Sequence, residues 1–79
     1  MRWFLYILQC KDKSLYTGIS TNVGRRIKEH SNGKGSRALR GKLPLKLVYQ
    51  ESCSSRSSAL KREAEIKRWP RKKKLALVC

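Results

Sequence analysis

Acidic side chains are scarce in this chain of 79 residues, which has five Asp and Glu residues against twenty Lys and Arg residues. So few carboxylates argue against sites that need several converging acids, such as a two-metal centre. The resulting net charge of +15 favours a polyanionic partner and predicts binding that weakens as salt is added. We therefore expect a nucleic-acid partner, with DNA as the first choice and RNA as the alternative.

Closely spaced cysteines and long apolar runs are also missing. Cys10, Cys53 and Cys79 form no Cys-x-x-Cys pair, which argues against a zinc site, and the reducing cytoplasm is the expected compartment. The longest apolar run, residues 3–8, has six residues and is too short for a signal-peptide core or a membrane span. It is better interpreted as a buried strand, and no membrane partner is expected.

The hydrophobic content of 39% is high enough for a folded domain, and residues 1–79 are expected to form a single one. Apolar patterns, turn residues and capping residues predict an α+β fold with a three-stranded antiparallel sheet flanked by helices, in the order β-β-α-β-α-α. The expected strands are residues 3–8, 15–19 and 45–49, and the expected helices are residues 23–31, 57–68 and a short segment after Pro70.

Three side-chain placements follow from this pattern. A loop of odd length centred near Asp12 would put Tyr6 and Tyr16 on one face of the hairpin as diagonal neighbours. In the first helix, His30 continues the stripe begun by Val23 and Ile27, and Arg26 borders it. The third strand is expected to place Leu45, Leu47 and Tyr49 on one face.

Glu63 lies within or beside the apolar arc of the last long helix, whereas Glu65 points away from it. A carboxylate placed against a core needs a compensating cation, metal or hydrogen bond. The purely structural interpretation of Glu63 is an ion pair with Arg26 or with Lys61, Arg62 or Lys67.

The spacing of these polar residues resembles that of a GIY-YIG nuclease domain, in the short single-domain bacterial branch. The first family motif corresponds to residues 4–6 and the second to residues 16–18, with tyrosines ten positions apart. Arg26 follows the second tyrosine by ten residues, and His30 follows Arg26 by four. Glu63 ends an Ala-Leu-x-x-Glu sequence like the one that carries the family's metal-binding glutamate.

The resemblance implies the GIY-YIG endonuclease fold and a metal-dependent endonuclease that hydrolyses phosphodiester bonds in DNA. It implies structure-selective or weakly sequence-specific cleavage and a role in DNA repair or recombination. Glu63 would hold a single Mg²⁺ or Mn²⁺, and Thr17 and Gly18 would be structural at the site. No small-molecule cofactor is expected, and the chain is expected to be a monomer or a weak homodimer.

The chemistry of phosphodiester hydrolysis suggests a role for each remaining catalytic candidate. Arg26 would clamp a phosphate oxygen with its planar guanidinium. Tyr6 or Tyr16 would take a proton from water, which requires a phenol pKa below its usual value of about 10. His30 would relay the proton, or hold a water or a phosphate.

Other cations are candidates for nucleic-acid contacts because they lie in basic segments outside the tyrosine and arginine motifs. These are Lys34, Arg37, Arg40 and Lys42 in the loop after the first helix, and Lys72 and Lys73 in the basic run near the C-terminus.

The chain departs from the family pattern in its first motif, where Phe4 and Leu5 stand in place of glycine and isoleucine, and at Thr17, which replaces an isoleucine. It also has no asparagine after Asn32, whereas many relatives have a late one. The alternative function is therefore a non-catalytic nucleic-acid-binding module that keeps the nuclease fold. A third possibility is an assembly protein that binds ribosomal RNA through charge alone.

Overall fold

Strands and helices follow the predicted order β-β-α-β-α-α in the computed structural model, which describes residues 2–32 and 43–78. The strands are β1 (Trp3–Gln9), β2 (Leu15–Ser20) and β3 (Lys46–Cys53), and the helices are α1 (Val23–Ser31), α2 (Arg56–Lys67) and α3 (Arg71–Val78). Both strand pairings are antiparallel and the sheet order is β2-β1-β3. The predicted α+β fold is confirmed.

The apolar run at the start of the chain forms the central strand, β1. Leu5 and Ile7 are fully buried on one face of the sheet, and Tyr6 and Leu8 are buried to within 1% on the other. Side chains alternate between faces along a strand, so a run that is apolar at every position fits a strand covered on both sides. Each face of β1 therefore has its own apolar cluster.

The β1–β2 hairpin has the odd-length loop that the sequence predicted. Gln9 pairs with Leu15, which leaves the five residues 10–14 in the loop, and Leu8 pairs with Tyr16. The loop closes with a hydrogen bond of 2.9 Å from the Cys10 N–H to the Ser14 carbonyl oxygen. This register puts Tyr16 on the same face as Tyr6, as expected.

The helices cover opposite faces of the sheet. Val23 and Ile27 of α1 pack against the cluster of Tyr6 and Leu8. The residues from α2 and α3 that pack in the cluster of Leu5 and Ile7 are Ala59, Ile66, Leu77 and Val78. Among the helices of the described ranges, none is long and apolar enough to cross a membrane.

The prediction that Leu45, Leu47 and Tyr49 share one face of the third strand is wrong. Leu8 pairs with Leu47 while Ile7 pairs with Tyr49, so Val48 is an extra residue in a β-bulge. Because a bulge shifts the alternation of side chains by one position, Leu45 packs with the Tyr6 cluster and Tyr49 packs with the Leu5 cluster.

Polar contacts fix α2 against β3. Arg62 Nε lies 3.2 Å from Glu51 Oε2, and Glu51 Oε1 accepts a hydrogen bond of 2.7 Å from the Tyr49 hydroxyl. The start of α2 is capped by Ser55, whose hydroxyl accepts from the Ser58 N–H at 3.1 Å. These contacts join the middle of α2 to β3 and close the first turn of the helix.

Candidate active site

Tyr6 lies at the centre of the candidate site, and its side chain extends across the edge strand β2. It pairs with Gly18, and a methyl group added to Gly18 would lie 2.6 Å from the Tyr6 hydroxyl oxygen and 2.8 Å from Cζ. Only a glycine lets the phenol lie this close to the backbone of β2. Gly18 is therefore structural in the literal sense that it makes room for Tyr6.

Tyr16 approaches the same region from β2. The centroids of the Tyr6 and Tyr16 rings are 6.5 Å apart, and Tyr16 Cε1 would lie 3.3 Å from a Gly18 methyl group. Tyr6 is only 1% exposed, whereas Tyr16 is partly exposed. The two phenols are therefore neighbours with different access to solvent.

His30 comes to the site from the last turn of α1. The side chain is buried, its Nε2 lies 3.2 Å from the Tyr6 hydroxyl, and its ring meets the Tyr16 ring edge-on at a centroid distance of 5.5 Å. Burial lowers the pKa of His30 below its ordinary value of 6.5, and the positive charge of Arg26 lowers it further. The imidazole is therefore neutral at pH 7.

Arg26 lies one turn before His30 and pairs with Glu29, an acid that the sequence analysis did not include in the site. Its Nη1 lies 3.2 Å from Glu29 Oε1, and its guanidinium lies close enough to Tyr6 to oppose the rise in the pKa of that phenol. The hydrogen bond to Glu29 is the main cause of a raised pKa at Arg26. The spacing of Arg26 and Glu29, three residues apart on one helix, is the signal that could have revealed this pair.

Glu63 lies on α2, the helix on the other side of the sheet, and acts on Tyr6 through its charge. Burial is the largest cause that raises the pKa of Tyr6 to about 12, followed by the charge of Tyr16. Arg26 opposes this rise, and the carboxylate charge of Glu63 adds to it. Glu63 is 20% exposed and lies 3.6 Å from Lys67 Nζ. Since α2 packs mainly against β2 and β1, and β2 is an edge strand, Glu63 can approach the Tyr6 hydroxyl around that edge.

The remaining predicted residues lie elsewhere or outside the described part of the chain. Thr17 is buried and pairs with Ile7, so it projects from the face opposite Tyr6. Lys72 and Lys73 are exposed on α3, which covers that same opposite face, and Lys73 Nζ lies 4.4 Å from the centroid of the Trp69 ring. Lys34, Arg37, Arg40 and Lys42 lie outside the described residues.

The donors available to a metal ion are few. Within residues 2–32 and 43–78, no three His, Cys, Asp or Glu side chains come together as a metal-binding group. Glu63 is a hard oxygen donor that is partly exposed and near enough to Tyr6 for its charge to act there, and Mg²⁺ often binds through one or two carboxylates together with waters and phosphate oxygens. The chemistry of the site fits a single Mg²⁺ or Mn²⁺ held through Glu63 and does not fit a two-metal centre.

Comparison with known proteins matches the chain to one family. The model of the GIY-YIG catalytic domain matches residues 2–76. The chain is 53% identical over 77 residues to the UPF0213 protein DP2720 of Desulfotalea psychrophila, covering 96% of this chain and 70% of that protein. It is 49% identical over 75 residues to the UPF0213 protein SH2523 of Staphylococcus haemolyticus, covering 95% and 92%.

Two solution NMR structures share the fold. The UPF0213 protein BH0048 of Bacillus halodurans is 46% identical with a TM-score of 0.64, over 99% of this chain and 83% of that one. The protein EF2693 of E. faecalis is 36% identical with a TM-score of 0.66, over 94% and 79%. None of these names states a specific activity.

Proposed function

The chain belongs to the GIY-YIG catalytic domain family, and from that premise we propose that it is a metal-dependent endonuclease that hydrolyses phosphodiester bonds in DNA. We propose further that residues 1–79 act as one domain in the cytoplasm, that cleavage depends on DNA structure or on weak sequence preference, and that it serves repair or recombination. The observation that carries the proposal is the meeting of Tyr6, Tyr16, Arg26 and His30, with the charge of Glu63 reaching Tyr6.

Exposure divides the site residues into two groups with different roles. Tyr16, Arg26 and Glu63 are partly exposed, so they are the groups that can touch a bound phosphate or an attacking water. Tyr6 and His30 are buried and hydrogen-bonded to each other, so they are positioning residues that hold Tyr16 and Arg26 in place. A pKa of about 12 keeps Tyr6 neutral at physiological pH and supports this division.

The chemistry of each exposed group follows from its charge and geometry. Arg26 would donate to two oxygens of the scissile phosphate through its planar guanidinium, which neutralises charge that grows as the bond to the leaving oxygen breaks. Tyr16 would first release its own proton to solvent, to which it is partly exposed, and its phenolate would then accept the proton of the attacking water. A divalent cation held by Glu63 would supply further positive charge at the phosphate.

Cleavage of labelled branched, flapped and single-stranded DNA with Mg²⁺ or Mn²⁺ tests the proposal. We expect the wild-type chain to cut at least one substrate, and Glu63→Ala and Arg26→Ala to lose most of that activity. Tyr16→Phe should be more damaging than Tyr6→Phe. Equal cutting by wild type, Glu63→Ala and Arg26→Ala would show a contaminating nuclease and defeat the proposal.

A non-catalytic nucleic-acid-binding module is the second candidate. It is favoured by the pairing of Glu63 with Lys67, which occupies the one carboxylate assigned to the metal, and by the net charge of +15. This candidate predicts salt-sensitive binding to DNA or RNA that Glu63→Ala leaves intact, with no cutting stimulated by metal.

A further inference from the structure

A depression of about 320 Å³ adjoins the tyrosine site but takes no part in the roles proposed so far. It is lined by Arg2, Phe4, Thr21, Asn22 and Arg25. Phe4 stands two residues before Tyr6 on β1 and packs in the same cluster, so the depression opens on the same face of the sheet. Two residues of a strand span about 7 Å, which is short enough for one bound nucleic-acid strand to reach both the depression and the tyrosine site.

The charge of this depression is unbalanced. Arg2 and Arg25 are both exposed, and no acidic residue contributes to the lining. Among residues 2–32 and 43–78, neither guanidinium has an ion-pair partner, in contrast to Arg26 and Arg62, which pair with glutamates. Two cations facing one concave surface without a carboxylate attract an anion.

Local contacts hold the side chains that line the depression in place and leave some of their N–H donors available. Arg2 uses Nη1 to donate to the Ser52 hydroxyl at 3.2 Å, and a guanidinium has five N–H donors in all. The Asn22 side-chain oxygen accepts from the Arg25 N–H at 3.0 Å, so that amide presents its NH₂ group as a donor. Arg25 and Arg26 are neighbours on α1, and they diverge because successive helical residues are rotated by about a quarter of a turn.

We propose that the Arg2–Arg25 depression binds a non-scissile phosphate of the nucleic acid, so that the bound strand runs from the tyrosine site along β1 toward the start of α1. Arg26 holds the phosphate at the site, and Arg25 with Arg2 holds a nearby phosphate of the same strand. The identity of the scissile phosphate rests on the proposed function, whereas the binding of a phosphate in the depression can be measured without cleavage.

The test compares two double variants that remove equal charge. Arg2→Gln/Arg25→Gln changes the depression, and Lys11→Gln/Lys13→Gln changes the exposed β1–β2 loop at the opposite end of β1. Fluorescence anisotropy with a labelled single-stranded DNA in EDTA gives affinity at a series of salt concentrations. We expect the arginine variant to bind about tenfold more weakly at low salt and to lose about 0.7 from the salt slope, and the lysine variant to lose about twofold. Equal losses in the two variants would overturn the proposal.

Cleavage by the same variants separates this inference from the proposed function. With Mg²⁺, the arginine variant should need about tenfold more substrate for half-maximal rate and keep its saturated rate within about twofold. If wild type cuts DNA but the two double variants bind it equally, the depression is not a phosphate site and the proposed function stands. If the arginine variant alone loses binding while wild type cuts nothing, the phosphate site stands and the proposed function fails.

Discussion

Gly18→Ala offers a direct test of how Tyr6 is placed. The added methyl group would lie 2.6 Å from the Tyr6 hydroxyl oxygen and 2.8 Å from Cζ, distances far inside normal contact. Tyr6 is 1% exposed and hydrogen-bonded to His30, so its ring has no room to move aside without breaking that contact. No positive φ is involved at Gly18, so the cost comes from crowding alone.

The size of the effect follows from overpacking in a small domain. Forcing an extra methyl group into a packed interior costs about 1–3 kcal/mol, and in a domain of this size each kcal/mol shifts the melting temperature by about 4–8 °C. We therefore expect Gly18→Ala to lower the melting temperature by about 10 °C, measured by far-ultraviolet circular dichroism at pH 7. Cleavage should fall with it, because Tyr6 no longer supports the site.

Gly24 provides the matched control. It is exposed near the start of α1, and a methyl group there would lie 3.7 Å from the Asn22 side-chain oxygen, which is ordinary contact. Alanine is favoured over glycine in a helix by about 0.5–1 kcal/mol, so Gly24→Ala should raise the melting temperature by a few degrees. If the two variants shift it in the same direction, or Gly18→Ala leaves it unchanged, the placement of Tyr6 is wrong.

Three further predictions concern the other members of the site. The lowered pKa of His30 means that, as pH falls below 6.5, the unfolded chain binds a proton at this residue before the folded chain does. In urea unfolding, wild type should therefore lose more free energy of unfolding between pH 7 and 5 than His30→Gln, and equal losses in the two chains would contradict this. Because Tyr6 keeps its proton to about pH 12 when folded but ionises near pH 10 when unfolded, wild type should lose stability across that window and Tyr6→Phe should lose less. Arg26→Lys should slow single-turnover cleavage by about tenfold or more, since lysine lacks the two-pronged donor; an unchanged rate would mean that only charge matters there.

Much of this site could be predicted from local sequence because local rules set it. Loop parity around Asp12 decided that Tyr6 and Tyr16 share a face, and helical spacing placed Arg26 and His30 on the side of α1 nearest the sheet. Thr17 could have been assigned to the opposite face by the same alternation, since it follows Tyr16 directly on β2.

Features that depend on contacts between distant segments were harder to predict. The bulge at Val48 arises from the register between β1 and β3, and the sequence of residues 45–49 alone does not predict it. Leu60 of α2 is 40% exposed, whereas Ala59 and Ile66 of the same helix lie in the core. The approach of Glu63 to Tyr6 depends on how α2 crosses β2 and β1, which spacing along one helix does not determine.

The dependence of DNA cleavage on Mg²⁺ in Glu63→Gln is the decisive test of metal binding by Glu63. Glu65→Gln is the control, because Glu65 lies on the same helix, is 56% exposed and pairs with Arg62 instead. We expect Glu65→Gln to cut at about the wild-type rate and Glu63→Gln to cut at least about a hundredfold more slowly at every Mg²⁺ concentration. A Glu63→Gln chain that cuts DNA with the wild-type dependence on Mg²⁺ would contradict the account.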